Sequence, residues 1–513
     1  MDYDDIIVGG GSAGAVLAAR LSEDRARRVV LIDAGPDYAT LELTPTDLRD
    51  CWRMSLREHD WGLTAEAVPG RAIPYPRGRV IGGSSAVNAT IALRGVPADY
   101  DEWAALGNDA WGWAKVLPYF RRLEDDPAGA DELHGRGGPI AIRRWPTNEL
   151  IPTQRAFFDA CRRLGFAAVA DHNHPEASGV GSFPQSRRDR LRLSTAIAYL
   201  LPARHRLNLE IRPQCLVDRV VFEDHRAVGV EIESGPAREW ISGRRVTLAA
   251  GAIGSPAILM RSGIGPRAAL LDVGIEPVVD LPGVGAGLID HPVTRLLVVP
   301  RSGSCDSETP LAQVVVRYTA PGSDEFNDMQ QVMFSHVDVA VMGGEQAVGA
   351  VGAPLAIGLP VALERPFSRG RLSLSSRDPR VQPAIELNFA AHPEDLRRLM
   401  HGVRLAWRIA HQRELARHVD RVALLTQETI DSDTALENYI RATVATQFHP
   451  CGTARMGPAT DAMAVVNQHC RLRTIPNLRV VDASVMPTIP RANINLTCIM
   501  IAEHVSDWIR DDS

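Results

Sequence analysis

Lysine is almost absent from this sequence of 513 residues. Lys115 is the single lysine, so arginine carries nearly all of the positive charge. The formal net charge is -6 at pH 7, so the chain has no basic surplus that would favour nucleic acid or an anionic membrane surface. We therefore expect neither as a partner.

Paired cysteines and long apolar runs are missing as well. The seven cysteines are scattered without a C-x-x-C pair, which disfavours zinc and disulfide frameworks and is typical of a reducing compartment. No apolar run reaches the length of a membrane span, and the first residues carry no basic leader. We predict a cytoplasmic protein with no membrane span and no metal site, although His172 and His174 on one loop keep a metal alternative open.

The periodicity of the chain predicts a mixed α/β architecture. A chain of this length is too long for one simple core, so two domains are expected. Residues 5–35 have the pattern of strand, glycine turn, helix and strand, and residues 245–266 repeat the strand, turn and helix. Residues 300–390 contain alternating runs typical of antiparallel strands. Further predicted elements are helices at 152–166, 394–412 and 495–510, a buried strand and turn at 477–487, and an irregular segment at 38–91.

A glycine motif follows the first predicted strand. Gly9-x-Gly11-x-x-Gly14 opens the helix, and Asp33 ends the second strand. Glycines let the backbone approach a pyrophosphate, the helix N-terminus favours negative charge, and the acid accepts hydrogen bonds from a ribose. This arrangement predicts a dinucleotide site, and the acid favours FAD or NAD over NADP. An NAD-binding or structural protein without redox chemistry stays open at this point.

Further motifs extend this pattern along nearly the whole chain. In chain order, the sequence resembles the glucose–methanol–choline (GMC) family of flavoprotein oxidoreductases in the stretches YDDIIVGGGSAGAVLAARLSE, RGRVIGGSSAVNA, GAIGSPAILMRSGIGP, LPGVGAGLIDHP, HPCGTARMGP and LRVVDASVMPTIP. The resemblance implies an α/β protein, α+β overall, with a Rossmann-like FAD-binding domain and a substrate domain built on an antiparallel sheet. The implied FAD-domain segments are 1–150, 215–298 and 441–513, and the implied substrate-domain segments are 151–214 and 299–440.

The resemblance also implies which residues contact FAD. Some family members attach FAD covalently through a histidine after the Gly82-Gly83 pair, and Val87 at that position implies non-covalent FAD here. This flavin loop disfavours a protein that binds NAD or lacks redox chemistry. The residues carried over by position as cofactor contacts are Gly9, Gly11, Ser12, Gly14, Asp33, Ala34, Arg79, Gly82, Gly83, Ser84, Asn88, Ala89, Val217, Asp482, Ala483 and Asn495.

His449 and Asn493 match the positions of the family's catalytic pair. An alcohol C–H is a poor hydride donor until its O–H proton is leaving, and histidine has a suitable pKa to accept that proton. A neighbouring amide can hold the substrate oxygen in place. The resemblance implies His449 as the base and Asn493 as its partner, which disfavours a non-oxidative family member such as a hydroxynitrile lyase or a photodecarboxylase. Cys451, two residues after the histidine, is interpreted as a buried small hydrophobe.

Three neighbours of the pair bear on the substrate and the electron acceptor. Gln447 occupies a place that is often apolar in oxidases, and a polar group near the flavin would hinder the reaction with oxygen. We therefore predict a dehydrogenase that passes electrons from a small-molecule alcohol to an unknown acceptor, with an alcohol oxidase as the alternative. Phe448 fits either type of enzyme. Arg491 is a candidate for binding an anionic substrate group, although a structural ion pair is the more ordinary interpretation.

Overall fold

The computed structural model describes residues 2–129, 132–235 and 237–512. Its strands are numbered in chain order. They are β1 (Tyr3–Val8), β2 (Val29–Ile32), β3 (Thr64–Val68), β4 (Arg71–Pro74), β5 (Glu124–Asp125), β6 (Ile140–Arg143), β7 (Ala168–Val169), β8 (Gly179–Ser182), β9 (Gln185–Arg188), β10 (Leu191–Arg192), β11 (Leu209–Arg212), β12 (Leu216–Glu223), β13 (Arg226–Ser234), β14 (Ala237–Leu248), β15 (Ile264–Gly265), β16 (Val279–Asp280), β17 (Ala286–Leu288), β18 (Pro292–Pro300), β19 (Val314–Tyr318), β20 (Met329–Val332), β21 (Phe334–Asp338), β22 (Leu355–Leu363), β23 (Gly370–Ser373), β24 (Ala384–Glu386), β25 (Val419–Ala423), β26 (Ala445–Thr446) and β27 (Leu478–Val480).

The helices confirm the longer helical predictions with shifted ends. Among the described residues, no helix is long and apolar enough to cross a membrane. The α-helices are α1 (Gly14–Leu21), α2 (Thr46–Arg49), α3 (Pro97–Ala105), α4 (Trp113–Leu123), α5 (Pro152–Arg163), α6 (Leu201–Ala203), α7 (Gly251–Arg261), α8 (Arg267–Asp272), α9 (Val339–Val351), α10 (Pro393–Ala410), α11 (Arg413–Ala416), α12 (Gln427–Asp431), α13 (Asp433–Thr443) and α14 (Asn495–Asp511).

One sheet is the predicted nucleotide-binding sheet. Its strand order is β11-β2-β1-β14-β13-β12, and β27 also pairs with β14. Strands β11, β2, β1, β14 and β27 run parallel to one another, whereas β12, β13 and β14 form an antiparallel extension. Strand β2 is buried along its whole length, as its apolar run VVLI requires between two covered faces. Helix α1 packs against α14, so the first and last segments of the chain close one face together.

A second sheet forms the predicted antiparallel layer. Its order is β25-β18-β22-β20-β19-β8-β7, with β21 and β26 attached to β22 and β18. Helix α10 packs on β18, β20 and β22. A Cβ added at Gly402 of α10 would lie 2.3 Å from Val361 Cγ1, so this glycine permits the close approach. Because side chains alternate along a strand, Pro360 and Ala362 point to the opposite face of the sheet, where they line a cavity.

The structure departs from the sequence predictions in three places. The segment predicted to be irregular contains the hairpin β3–β4, which extends a sheet through β24. Helix α9 lies inside the predicted antiparallel region; its small apolar residues lack helical periodicity, but Asp338 caps its N-terminus by accepting from Ala340 N. The five-segment domain division stays a prediction, although β11 joins the nucleotide-binding sheet and β18 joins the antiparallel sheet, which shifts two of the boundaries.

Candidate active site

A cavity of about 1150 Å³ runs from the nucleotide-binding sheet to the antiparallel sheet. Gly9 and Asp33, which follow β1 and β2, line one end of it. Gln330 and Ala362, from the antiparallel sheet, line the other end. Ligands of open α/β sheets bind beyond the carboxyl ends of the strands, so the first end is where a dinucleotide is expected.

Glycines shape the first end because side chains would collide there. Gly9 has a φ of +98°, and a Cβ on it would lie 2.5 Å from the carbonyl oxygen of Ala249. A Cβ on Gly14 would lie 1.8 Å from Gly9 O and would push α1 away from β1. A Cβ on Gly83 would lie 2.6 Å from Gly11 Cα, so the two glycine loops touch. This bare backbone surface fits the close approach that a pyrophosphate requires.

Asp33 provides the acidic end of the predicted dinucleotide site. Its carboxylate accepts hydrogen bonds from the backbone N–H groups of Gly10 and Gly35, both at 2.7 Å. Burial raises the pKa of this carboxyl to about 6, although the two hydrogen bonds act in the opposite direction. Nearby, the Arg79 guanidinium lies over the Trp61 ring at 5.0 Å from its centroid. The acid is therefore oriented by backbone groups and faces the cavity.

Segments distant in sequence meet further along the cavity. Ser12 Oγ donates to Asn495 Oδ1 at 2.8 Å, which ties the first glycine loop to α14. Asp482 accepts hydrogen bonds from Gly251 N at 2.9 Å and Ser255 Oγ at 2.5 Å. Gly14 and Gly82 are not among the lining residues and act through packing. The predicted cofactor residues that do line the cavity are Gly9, Gly11, Ser12, Asp33, Ala34, Arg79, Gly83, Ser84, Asn88, Ala89, Val217, Asp482, Ala483 and Asn495.

The structure brings His449 and Asn493 together on the cavity wall. Asn493 Nδ2 lies 3.2 Å from His449 Nε2, and each residue is only 9% exposed. The turn before the histidine is unusual, because Phe448 has a φ of +70°, a backbone conformation that side-chain-bearing residues rarely adopt. Hydrogen bonds hold it there: Phe448 N donates to Thr446 Oγ1 at 2.6 Å, and His449 N donates to Asp290 Oδ1 at 2.9 Å.

Two buried residues behind the pair were not singled out from the sequence. His291 Nδ1 lies 2.9 Å from His449 Nδ1, with the two rings nearly perpendicular. Glu364 Oε2 lies 3.4 Å from His291 Nδ1, and the Gln447 side chain is a second polar neighbour of this carboxyl. His291 precedes β18 and Glu364 follows β22. The charged residue that ends the apolar run VALE is a sequence signal that could have singled out Glu364.

Burial sets the charge state of these groups. It lowers the pKa of His449 well below the ordinary value, and the neighbouring His291 and Arg77 lower it further. Burial lowers the pKa of His291 to about 3 and raises the pKa of Glu364 to about 8. All three side chains are therefore neutral at pH 7. Because Asn493 donates to His449 Nε2, the network assigns the ring proton of His449 to Nδ1, where it is donated to His291.

The predicted neighbours of the pair differ in their placement. Gln447 and Phe448 line the cavity, and the Gln447 side chain is a polar neighbour of Glu364. Arg491 is not among the lining residues; its guanidinium contacts Asp99 at 2.7 Å and Glu325 at 3.0 Å. This arrangement is the structural ion pair rather than a substrate contact.

Two further sequence features lie away from the cavity. Cys451 is fully buried, and burial raises the pKa of its thiol well above the ordinary value, which favours the interpretation as a packing residue. His172 is also buried, and its ring nitrogens have no hydrogen-bond partner among the described residues. Neither residue is positioned to take part in the chemistry of the catalytic pair.

A cluster with metal-like spacing lies elsewhere, in the part of the chain that the structure describes. Glu124, Asp126 and His134 have ligand atoms within 4.8 Å of one another, and all three are buried. Arginines already balance the acids, because Arg94 pairs with Glu124 and Arg144 pairs with Asp126. The cluster has the composition of an ion-pair network, and the sequence-based expectation of no metal site stays a prediction.

Comparison with known proteins agrees with this arrangement. Family models described as GMC oxidoreductase match residues 3–293 and residues 366–502. The chain is 36% identical to an oxygen-dependent choline dehydrogenase of Brucella anthropi, covering 99% of this chain and 96% of the relative, and 35% identical, with the same coverage, to one of Sinorhizobium fredii. A crystal structure of pyridoxine 4-oxidase from Mesorbium loti superposes with a TM-score of 0.91 at 33% identity, covering 99% of both chains. The chain belongs to the GMC oxidoreductase family and is an FAD-dependent oxidoreductase acting on CH–OH donors.

Proposed function

We propose that this protein oxidises a small-molecule alcohol to an aldehyde or ketone, with His449 as the base and Asn493 as its partner. The observation that carries the proposal is the contact of the Asn493 amide with His449 Nε2, at 3.2 Å, on the wall of the cavity. A base and a hydrogen-bonding group side by side are what the removal of a hydroxyl proton requires.

The surrounding residues restrict the histidine to one task. His291 occupies Nδ1, and the backbone N–H of His449 is held by Asp290, so the Nε2 edge is the one turned to the cavity. Because His449 is neutral with its proton on Nδ1, its Nε2 carries a lone pair, which the Asn493 amide occupies in the structure. That lone pair can accept the hydroxyl proton of the substrate once the amide turns to the substrate oxygen. Asn493 can hydrogen-bond the same oxygen and hold the carbinol carbon in a fixed orientation. FAD, when bound, supplies the hydride acceptor.

The cavity has the features that FAD requires. The touching glycine loops leave room for a pyrophosphate, and Asp33 is oriented for a ribose. Val87 lines the cavity at the position where a histidine would form the covalent bond, and a valine side chain offers no nucleophile for it. We therefore propose non-covalent FAD. Acid precipitation should leave all yellow colour in the supernatant, whereas colour retained in the pellet would contradict non-covalent attachment.

The electron acceptor is proposed to be a molecule other than oxygen, and the oxidase remains the second candidate. Gln447 favours the first, because it lines the cavity next to the catalytic pair and carries a polar amide there. The relatives, an oxygen-dependent choline dehydrogenase and a pyridoxine 4-oxidase, favour the second. The acceptor itself is unidentified, and a cytoplasmic location stays a prediction from the cysteine pattern.

Anaerobic bleaching of the bound flavin tests the proposed reaction. The holoenzyme is mixed without oxygen with a panel of aliphatic, aryl, sugar and amino alcohols, and flavin absorbance is followed by stopped flow. We expect bleaching with at least one class and a loss of about 100-fold or more in the bleaching rate for His449→Ala, as general-base catalysis contributes factors of this order. Asn493→Ala is expected to lower the rate less. Wild-type bleaching in His449→Ala would refute the base assignment.

The control distinguishes chemistry from folding. His411 is an exposed histidine on the surface after α10, and His411→Asn should bleach like the wild type. Admission of oxygen after bleaching then decides the acceptor: slow return of the absorbance supports a dehydrogenase, and rapid return refutes it in favour of an oxidase. A protein that holds FAD but bleaches with no alcohol of the panel would count against the proposed function as a whole.

A further inference from the structure

Three neighbouring strands present successive rows of side chains to the cavity. In one row, Val293 of β18 lies opposite Ala362 of β22, which lies opposite Gln330 of β20. In the next row, Arg295 lies opposite Pro360. All five residues line the cavity, on the sheet face that turns away from α10. This face is therefore the substrate-facing wall of the antiparallel sheet.

Successive rows lie at increasing distances from the catalytic pair. His291 and Glu364, which support His449, form the row before that of Val293, two residues away along β18 and β22. Arg295 is four residues after His291, so their Cα atoms are roughly 13 Å apart along the strand. The Arg295 side chain turns back, because its Nη2 donates to Thr446 O at 3.4 Å. Its guanidinium therefore lies nearer to the reacting end than its Cα does.

Arg295 carries a positive charge that no acid among the described residues compensates. It forms no ion pair with any described residue, and its long bond to a carbonyl oxygen is the one side-chain hydrogen bond it makes among them. Burial alone lowers the pKa of this guanidinium, to about 10, and no carboxylate counteracts that effect. A half-buried arginine without a counterion is costly and usually pairs with an anion. The site therefore favours a bound anion.

A second observation on the same wall also points to a polar ligand. Gln330 is fully buried, and neither its Oε1 nor its Nε2 has a hydrogen-bond partner among the described residues. Buried amides are almost always satisfied, so an unsatisfied one that lines a cavity indicates a ligand group. Gln330 lies one row closer to the catalytic pair than Arg295. Gln330 and Arg295 therefore provide hydrogen-bond donors along the wall, with Gln330 nearer to the catalytic pair and Arg295 farther from it.

At pH 7, no negatively charged residue lines this wall within the described residues, because Glu364 in the adjoining row is neutral. The acids that line the cavity are Asp33, Asp47, Glu58, Asp338 and Asp482, and none of them is on β18, β20 or β22. Arg77, which also lines the cavity, adds a second cation; its guanidinium donates to Phe448 O at 2.9 Å. A cationic substrate would meet like charge here, whereas an anionic one would meet opposite charge.

We propose that the physiological substrate is an alcohol that carries an anionic group, a carboxylate or a phosphate monoester, held by Arg295 while its carbinol lies at His449 and Asn493. The inference rests on the proposed alcohol oxidation at that pair. The turned-back guanidinium and the row spacing place the anionic group roughly 5–8 Å from the carbinol, which matches a chain of about four to six bonds. Gln330 hydrogen-bonds a polar atom of the substrate between the two ends.

Three substrates of equal length and different charge test the proposal. They are 6-hydroxyhexanoate, 1,6-hexanediol and 6-amino-1-hexanol, compared by anaerobic bleaching of the holoenzyme; a phosphate monoester of 1,4-butanediol tests the other anion. We expect the second-order bleaching rate to be about 10- to 100-fold higher for an anion than for the diol, as is typical of one charge-assisted contact. The amine should react more slowly than the diol. A wild type that prefers the diol or the amine refutes the anionic substrate.

Variants of the arginine separate recognition from chemistry. Arg295→Met should lower the ratio of the anion's rate to that of 1,6-hexanediol to about one, because it removes the cation and leaves the catalytic pair intact. Arg295→Lys should retain part of the preference. Arg77 stays unchanged in both variants, so the comparison isolates one cation. Equal losses of Arg295→Met with all substrates would refute its recognition role.

Stability gives an independent readout. Since Arg295→Met removes an uncompensated charge, its melting temperature should equal or exceed that of the wild type; a decrease would show that the arginine is structural and would refute the proposal. The two proposals fail in different ways. If no alcohol bleaches the flavin, alcohol oxidation itself is wrong; if neutral alcohols react and anionic ones do not, the anionic substrate alone is wrong.

Discussion

Glu364 should make alcohol oxidation depend on pH above neutrality. Its pKa of about 8 follows from burial, and its Oε2 lies 3.4 Å from His291 Nδ1, which in turn contacts His449. Below pH 8 the carboxyl is neutral, and above pH 8 it is negative. A negative Glu364 stabilises the positive charge that His449 acquires when it takes the substrate proton, so kcat/KM should rise as pH passes through about 8.

The magnitude follows from the separation of the two charges. At roughly 7 Å and an effective dielectric constant of about 20, opposite unit charges attract by about 2.4 kcal/mol. If this energy is expressed fully in the transition state, the rate rises by about 50-fold. Glu364→Gln keeps the shape of the side chain but cannot ionise. Its profile between pH 6 and pH 10 should therefore be flat, at the level that the wild type shows at low pH.

Stopped-flow bleaching with 1,6-hexanediol is the assay, because a neutral diol does not titrate in this range. Burial keeps the pKa of His449 far below this window and that of Tyr75 far above it, so neither group produces a rise there. Glu386→Gln, a change at a partly exposed acid paired with Arg371, is the matched control and should keep the wild-type profile. A rise near pH 8 that survives in Glu364→Gln would refute the reasoning.

Thermal unfolding checks the same pKa without catalysis. A carboxyl whose pKa is raised by folding binds its proton more tightly in the folded state than in the unfolded state. The free energy of unfolding should therefore fall as pH rises from about 4.5 to 8, by up to about 1.4 kcal/mol per unit from this group, and level off above pH 8. Glu364→Gln removes this contribution. The melting temperature of the variant minus that of the wild type should therefore increase as pH rises from 5 to 8. Parallel melting curves would contradict the burial effect.

Two further substitutions test residues beside the pair. Gln447→Leu should speed the reoxidation of bleached flavin by oxygen several-fold while leaving anaerobic bleaching close to wild type, and an unchanged oxygen rate would refute the role of the amide. Arg491→Met should destabilise the protein by about 3–5 kcal/mol in urea unfolding, because the fully buried Asp99 loses its partner. Arg491→Met should leave the KM for 6-hydroxyhexanoate unchanged, whereas Arg295→Met should raise it. A raised KM in Arg491→Met would indicate that Arg491 binds the substrate after all.

Local patterns explain how much of the molecule could be predicted. The run Ile6–Val8, the glycines after it and Asp33 are neighbours in sequence and in space, so the βαβ unit and its nucleotide-facing loops followed from spacing alone. His449 and Asn493 are 44 residues apart and were paired through the family resemblance. Helix α9 was missed, because its small residues carry no amphipathic period and only Asp338 marks its start.

The residues missed by sequence reasoning are those that depend on strand register. His291 and Glu364 are separated by 73 positions, and nothing in either segment states that β18 and β22 pair so that the two side chains meet. A shift of one residue would turn Arg295 and Gln330 away from the cavity and towards α10. The charge of Arg295 is informative only after the pairing of β18 and β22 is known, which is why sequence reasoning named Arg491 and not Arg295 as a candidate for anion binding.

Register also separates the two tasks of the substrate wall. The row of His291 and Glu364 acts on the base, and the row of Arg295 acts on the far end of the substrate, with one row between them. Substitutions in the outer row can therefore change the preferred alcohol without moving the histidine. It follows that family membership, which the catalytic pair reflects, does not determine the substrate. The cation on β18 is the feature from which the substrate of this chain is best inferred, because it is the group whose burial a bound anion would compensate.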